Sequence, residues 1–159
     1  MKIKIERLPL TLEEWESMSH RDFSHPENVC AMFIAALYLY SRDRDSGERA
    51  LNLLCGPRPL PPRETELIRE RLAKRPYLPL AYFAGAAPEN GYTPAEELEL
   101  EILPTPRPQD LEPGFLKVYL RSAGARAPRP LALRKKGNSW CLWEFAGVLT
   151  GIRAPDQAE

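Results

Sequence analysis

The spacing of apolar residues changes near the middle of the sequence, and this change limits the fold more than any other feature. Up to about residue 75, apolar side chains recur at helical spacing, whereas from residue 97 they alternate with polar ones in short segments. A strand cannot present a helical period on one face, and a helix cannot present an alternating one. We therefore expect an α+β fold, with about four N-terminal helices packed on a C-terminal antiparallel sheet of three to five strands.

Helix start signals divide the first half of the chain. Thr11 with Glu14, and Ser24 with Glu27, match the Ser/Thr-x-x-Glu capping box, which satisfies free N–H groups at a helix start. Asp45 opens a third helix, and a proline pair opens a fourth. The second helix is apolar on nearly every side, which is typical of a central, buried helix. The four predicted helices cover residues 11–18, 26–41, 45–55 and 62–74.

Five segments alternate with the period of a strand. In residues 97–103, apolar side chains alternate strictly with glutamates, which predicts a strand with one buried face. Residues 1–5 repeat the pattern briefly and are a candidate edge strand. The predicted strands cover residues 1–5, 97–103, 114–122, 130–136 and 139–145.

The Gly137-Asn138 pair predicts a two-residue hairpin turn, because glycine accepts positive φ at the first turn position. With Lys136 facing Ser139 across this turn, the register places Ala132 opposite Trp143. One face of the hairpin, which we expect to be the core face, carries Leu131, Leu133, Trp140 and Leu142. The other face carries Arg134, Cys141, Trp143 and Phe145.

Charge and cysteine content indicate the general class of protein. Lys+Arg and Asp+Glu both number 22, so net charge gives no reason to expect a nucleic acid partner. Three cysteines in apolar contexts fit buried thiols in a reducing compartment. The longest apolar run, 29–40, is too short to cross a bilayer, and no N-terminal signal is visible. We expect a cytoplasmic protein without a membrane segment, forming one domain over residues 1–153 with a frayed tail over 154–159.

Candidate catalytic and metal-binding motifs are weak. The string HRDFSHPEN at residues 20–28 is similar to the catalytic loop of protein kinases, but its Asp-to-Asn spacing is one residue too long and no glycine-rich loop accompanies it. His20, Asp22 and His25 are candidate metal ligands, although a solvated turn accounts for them better than a site that needs more converging ligands. Cys55 is a candidate nucleophile without a nearby histidine. The sequence predicts no catalytic residue, no metal site and no cofactor.

Basic side chains are concentrated between residues 115 and 136, where no acidic residue occurs. A basic segment with interleaved aromatics such as Tyr119 can bind an anionic ligand. An alternative is a solvated sheet face whose charges prevent edge pairing. Arg134 beside Trp143 across the hairpin can equally form an internal cation–π contact. The seven basic residues are Lys117, Arg121, Arg126, Arg129, Arg134, Lys135 and Lys136.

Three stretches carry a resemblance to a known family: LNLLCGPRPLPP at 51–62, GAAPENGYTP at 85–94 and SAGARAPRPLALRKKGNSWCLWE at 122–144. The chain resembles a family of small uncharacterised bacterial proteins, a domain of unknown function, over about residues 25–153. The segment from Pro128 is the most specific part of the match. The chain departs from the family pattern at Arg126, where an acidic residue is expected. The resemblance implies one intact domain and brings no activity or site residue.

Exposed arginine and tryptophan residues of the kind enriched at interfaces favour a non-enzymatic protein-interaction module of the bacterial cytoplasm. Its partner is expected to be an unidentified protein or a second copy of the chain, and nucleic acid is disfavoured. The predicted interaction surface consists of Arg129, Arg134, Lys136 and Trp143. The alternative is a small-molecule-binding or enzymatic domain with a pocket between helices and sheet, lined by Tyr77, Tyr82, Tyr92 and Trp143. The third interpretation is anionic-ligand binding through the basic strands of 115–136.

Overall fold

Helices precede the sheet in the chain, as predicted, apart from one N-terminal strand. The structure is a computed structural model that describes residues 1–156, and residues 157–159 of the predicted tail lie outside the described residues. In chain order the elements are β1 (Lys2–Ile5), α1 (Leu12–Glu16), α2 (Pro26–Arg42), α3 (Arg44–Leu54), α4 (Pro62–Lys74), β2 (Leu98–Pro104), β3 (Phe115–Leu120), β4 (Arg129–Lys136) and β5 (Ser139–Glu144). The predicted α+β fold is confirmed.

The five strands form one antiparallel sheet in the order β1-β2-β3-β4-β5. β1 pairs with β2 through Ile3 and Leu100, which confirms the predicted N-terminal edge strand. β5 lies at the opposite edge. There the Trp140 backbone N–H donates to the Phe23 carbonyl over 2.7 Å, so the loop before α2 covers the start of this edge.

α2 fills the centre of the molecule. Residues 29–40 are buried with one exception, as the apolar pattern predicts. On the helical side, the Trp15 indole N–H donates to the Met32 carbonyl over 3.0 Å. On the sheet side, the Phe33 ring lies 5.5 Å from the Phe145 ring, measured between centroids. The central helix therefore connects the helical layer to the strand edge at β5.

Two helix starts differ from the prediction. α2 takes His25 rather than Ser24 as its N-cap, because the Ser24 hydroxyl donates instead to the Asp22 carboxylate over 2.6 Å. α3 has Asp43 rather than Asp45 as its N-cap. Side chains that can cap a helix also bond to nearby turns, and this competition explains the N-cap of α2.

A β-bulge interrupts the β4–β5 hairpin. The four pairs nearest the turn have the predicted register. Beyond them Ala132 faces Glu144 rather than the predicted Trp143, because β5 carries one extra residue. Trp143 remains on the outer face, but Phe145, also predicted there, turns into the core and is 3% exposed. The prediction for Phe145 was wrong because a bulge reverses the alternation of side chains.

Among residues 1–156, no helix is long and apolar enough to span a bilayer. Near the C-terminus, Ile152 is buried and the Asp156 backbone N–H donates to the Pro88 carbonyl over 2.9 Å. This bond lies inside the segment predicted as a frayed tail. The chain is thus fixed at both of these positions to the body of the molecule.

Candidate functional site

Trp143 lies beside two guanidinium groups on the outer face of the hairpin. The Arg58 Cζ atom is 4.5 Å from the indole centroid, and the Arg134 Cζ atom is 4.9 Å from it. The Phe115 ring meets the indole edge-on, with centroids 5.7 Å apart. Cations at these distances are attracted by the ring quadrupole, typically by about 0.5–2 kcal/mol each. The predicted contact between Arg134 and Trp143 is therefore present, and Arg58 adds a second cation.

Three parts of the chain bring these side chains together: the β4–β5 hairpin, β3 and the joint between α3 and α4. Trp143 of β5 lies on the outer face, where Arg134 is its neighbour on β4. Arg134 is in turn paired with Phe115 of β3. Arg58 comes from the proline-rich joint between α3 and α4, which is anchored by the Leu60 N–H donating to the Asn52 side chain over 2.8 Å. Proline fixes φ on both sides of Arg58, so this joint presents the side chain at low entropic cost.

A cavity of about 370 Å³ opens between this joint and the hairpin. Its walls combine apolar surface with cationic groups. No carboxylate oxygen among residues 1–156 lies within 4.0 Å of the side-chain nitrogens of Arg58, Arg134 or Lys136. The cavity therefore carries positive charge without a direct internal partner. The lining residues are Cys55, Pro57, Arg58, Pro59, Arg134, Lys136, Cys141, Leu142 and Trp143.

The carboxyl group of Glu64, at the start of α4, is influenced by the charge of Arg58. Burial raises its pKa, and Glu144 raises it further, whereas the Arg58 charge opposes both effects by lowering it. The net direction is upward, so burial dominates over the attraction to Arg58. Arg58 acts on Glu64 through its charge alone, since no ion pair within 4.0 Å joins the two side chains.

Two thiols line the cavity but are poor nucleophiles. Burial raises the pKa of Cys55 to about 12, and burial also raises the pKa of Cys141. The chain packs closely here, since a Cβ added at Gly56 would lie 2.7 Å from the Cys141 sulfur. A thiol needs a lowered pKa to supply thiolate at neutral pH. These two thiols therefore act as apolar wall atoms.

The structure unites three of the four predicted surface residues and separates the fourth. Arg134, Lys136 and Trp143 line the cavity. Arg129 lies at the opposite end of β4, where its Nε–H donates to the Gly147 carbonyl over 2.9 Å. The basic segment is divided accordingly, so its cations do not form one continuous stripe.

The other predicted candidates lie elsewhere. His25 Nε2 is 3.6 Å from the Asp22 carboxylate at an exposed turn, and within residues 1–156 no group of three His, Cys, Asp or Glu could hold a metal ion. The Tyr82 and Tyr92 hydroxyls donate to the Val148 and Arg153 carbonyls in the interior. None of the three predicted pocket tyrosines lines the cavity beside Trp143.

Sequence reasoning missed Arg58. It is about 85 positions from Trp143 along the chain, and only its setting between Pro57 and Pro59 marks it. An arginine held between two prolines is a side chain displayed on a stiff segment, which is the signal that could have identified it.

Comparisons with known proteins identify a family and no characterised relative. A family model described as Domain of unknown function (DUF6935) matches residues 7–156. The search of the curated proteins found no match, and the search of the solved structures found none. The matched range includes every residue of the cavity.

Proposed function

Since the chain belongs to the DUF6935 family, a domain of unknown function, we propose its role from its own surface: a non-enzymatic protein-interaction module of the bacterial cytoplasm. The observation that supports this proposal is the half-buried Trp143 between the guanidinium groups of Arg58 and Arg134 at an open cavity. Tryptophan and arginine are the residues most enriched where binding energy concentrates at protein interfaces.

The chemistry of the cavity favours a partner segment that places an acidic side chain next to an apolar one. Arg58 and Lys136 are exposed, and Arg134 is half-buried. None of them has an ion-pair partner within residues 1–156. A carboxylate can accept two parallel hydrogen bonds from a guanidinium group. The indole and the proline rings supply the apolar contact beside it.

We expect a different protein at this surface rather than a second copy that docks through the carboxylates at β2. Two acidic residues of this region, Glu97 directly before β2 and Glu101 on β2, already have ion-pair partners. Lys4 pairs with Glu97 at 2.9 Å, and Arg121 pairs with Glu101. A copy that docked through these carboxylates would first have to give up its own ion pairs.

The test is selection of displayed random peptides by the purified chain, followed by affinity measurement of the selected sequences. We expect peptides that carry Asp or Glu adjacent to an apolar residue. Arg58→Ala should weaken binding at least tenfold, because it removes an exposed cation and leaves the core intact. Arg107→Ala is the matched control, since Arg107 is an exposed arginine that does not line the cavity. Trp143→Ala should abolish binding.

Two results would contradict the proposal. One is selection without acidic enrichment, or equal affinities for the Arg58→Ala and Arg107→Ala variants. The other is a concentration-dependent dimer in sedimentation that Arg58→Ala dissolves, because this would assign the surface to self-association rather than to another protein.

A small-molecule site is the second candidate function, and the cavity volume favours it. About 370 Å³ lies within the usual range of ligand pockets, about 300–1,000 Å³. Native mass spectrometry of the purified chain distinguishes the two functions. A bound compound lost in Trp143→Ala would support the small-molecule site, and an unliganded mass together with acidic peptide selection would support the interaction module.

A further inference from the structure

A second concavity, at the opposite end of β4 from Lys136, is lined by three arginines. It has a volume of about 470 Å³ and lies between the β3–β4 loop and the segment that follows β5. Arg126 and Arg129 enter it from the loop side, and Arg153 enters it from the C-terminal side. On β4, Arg129 at this concavity and Arg134 at the Trp143 cavity are five positions apart. At about 3.3 Å per residue, the two sites are separated by about 17 Å.

Arg129 is held in place before any ligand arrives. Its Nε–H donates to the Gly147 carbonyl over 2.9 Å, and Nη2 donates to the Thr150 hydroxyl over 3.3 Å. Nη1 has no hydrogen-bond partner among residues 1–156. A guanidinium group fixed in this way loses little side-chain entropy when its remaining N–H groups bind a ligand.

The backbone beside Arg129 is shaped to accommodate the guanidinium group. Gly151 has φ +80°, a conformation that other residues rarely adopt, and a Cβ there would lie 2.9 Å from the Arg129 Cζ atom. The Arg153 backbone N–H donates to the Gly124 carbonyl over 2.8 Å, which joins the two walls of the concavity. The arginines are therefore presented by connected segments rather than by independent loops.

The charge of this concavity is not balanced internally. Arg153 has one distant carboxylate partner, with its Nη2 atom 3.7 Å from an Asp156 oxygen. Within the described residues 1–156, Arg126 and Arg129 form no ion pair. Like charges brought together repel one another unless an anion offsets them.

We infer that this concavity, formed by Arg126, Arg129 and Arg153, is a binding site for a phosphate-bearing small molecule. A phosphoryl group offers several acceptor oxygens and close to two negative charges at neutral pH, which matches several converging guanidinium groups better than a single carboxylate does. The site is separate from the Trp143 cavity and does not depend on the function proposed for it.

Titration of the ¹⁵N-labelled full chain with pyrophosphate, at constant ionic strength, tests this inference. We expect saturable shifts in the backbone amide signals of residues 124–129 and 147–153. Arg126→Glu should weaken the apparent affinity at least tenfold, and it should leave the fold intact because Arg126 is exposed. Arg107→Glu makes the same charge change outside the site and should weaken binding no more than twofold.

Two further measurements test the preference for a phosphoryl group and the location of the binding site. Titration with acetate at equal ionic strength should produce shifts at least tenfold weaker in affinity, because it offers a single carboxylate. Trp143→Ala should leave the pyrophosphate affinity unchanged. Shifts that do not saturate, or equal weakening by Arg126→Glu and Arg107→Glu, would overturn the inference, and so would equal affinities for acetate and pyrophosphate.

Discussion

Cys30 lies on α2 with no exposed surface, and burial raises the pKa of its thiol from the ordinary value of 9.0 to about 12. Glu27 raises it further in the same direction. Removing a charged form from water is costly in a low-dielectric interior, so the thiol remains protonated well above its usual range. At the scale of single residues, burial rather than a catalytic neighbour determines this chemistry.

The raised pKa of Cys30 predicts a loss of stability in alkaline solution. The stabilisation is fully present below pH 9.0, the pKa of the unfolded thiol, and is lost as the pH rises towards about 12. Across that interval the slope for one thiol is up to about 1.4 kcal/mol per pH unit. Urea unfolding at about pH 8 and about pH 10.5 should therefore show the free-energy gap between wild type and Cys30→Ala narrowing as the pH rises.

The neighbouring core substitution Val29→Ala is the control for this measurement. Val29 is as buried as Cys30 but does not titrate. Its free-energy gap to the wild type should stay constant with pH. Parallel behaviour of the two variants would show that the Cys30 thiol does not contribute to the pH dependence.

Some residues of the candidate site could be predicted from the sequence, and others could not. Arg134 and Trp143 could be placed together from the sequence, because a two-residue turn sets the face of every nearby hairpin residue. Arg58 could not, because its contact with Trp143 at 4.5 Å depends on how the α3–α4 joint passes the sheet edge. The sequence placed Arg129 on one surface with Arg134 and Lys136. In the structure Arg129 lies at the opposite end of β4 from Lys136.

At the scale of elements, the bulge in β5 turns Phe145 into the core while Trp143 stays on the outer face. Trp143 and Glu144 together oppose Ala132, so both side chains remain outside the core. Phe145 then faces inwards towards Phe33. No glycine or proline marks this position, and a bulge without such a marker is indistinguishable from regular alternation in a single sequence.

Deletion of one bulge residue should regularise the hairpin without unfolding the chain. Removing either Trp143 or Glu144 leaves one residue opposite Ala132 and keeps Phe145 facing inwards. Both deletion variants should retain the wild-type far-UV circular dichroism and cooperative melting. Only the Trp143 deletion should lose the acidic-peptide binding proposed above, since the Glu144 deletion keeps the indole on the outer face.

Deletion of Cys141 supplies the contrast. It lies in the regular part of the hairpin, so its removal moves Leu142 from the core face to the outer face. We expect a loss of about 2–5 kcal/mol in unfolding free energy, as for truncation of a buried leucine. If all three deletions were equally destabilising, the bulge would not be the adjustable part of this hairpin.

At the scale of the whole molecule, the helical layer and the sheet share one core. The buried apolar side chains form a continuous cluster that extends from Ile5 on β1 to Ile152 after β5. α2 packs against α3 and α4 and also against β1 and β5. The change of hydrophobic period, which predicts two layers, could not show that one helix would be central to both. A single chain segment cannot reveal how many of its faces have partners.

This shared core predicts a single unfolding transition for helices and strands. Trp15 on α1 and Trp143 on β5 report on the two layers, and ¹⁹F NMR of the chain labelled with 5-fluorotryptophan can resolve them. The urea midpoints of the two signals should coincide. Leu133→Ala on β4 should lower both midpoints equally, because it should reduce the unfolding free energy of the whole chain by about 2–5 kcal/mol. The control is Leu53→Ala, because the Leu53 side chain is 48% exposed. This substitution should change neither midpoint by much. If the Trp15 signal stayed native after the Trp143 signal had been lost, the helices would form a separate cooperative unit, and the sheet with its Trp143 surface could unfold or rearrange on its own.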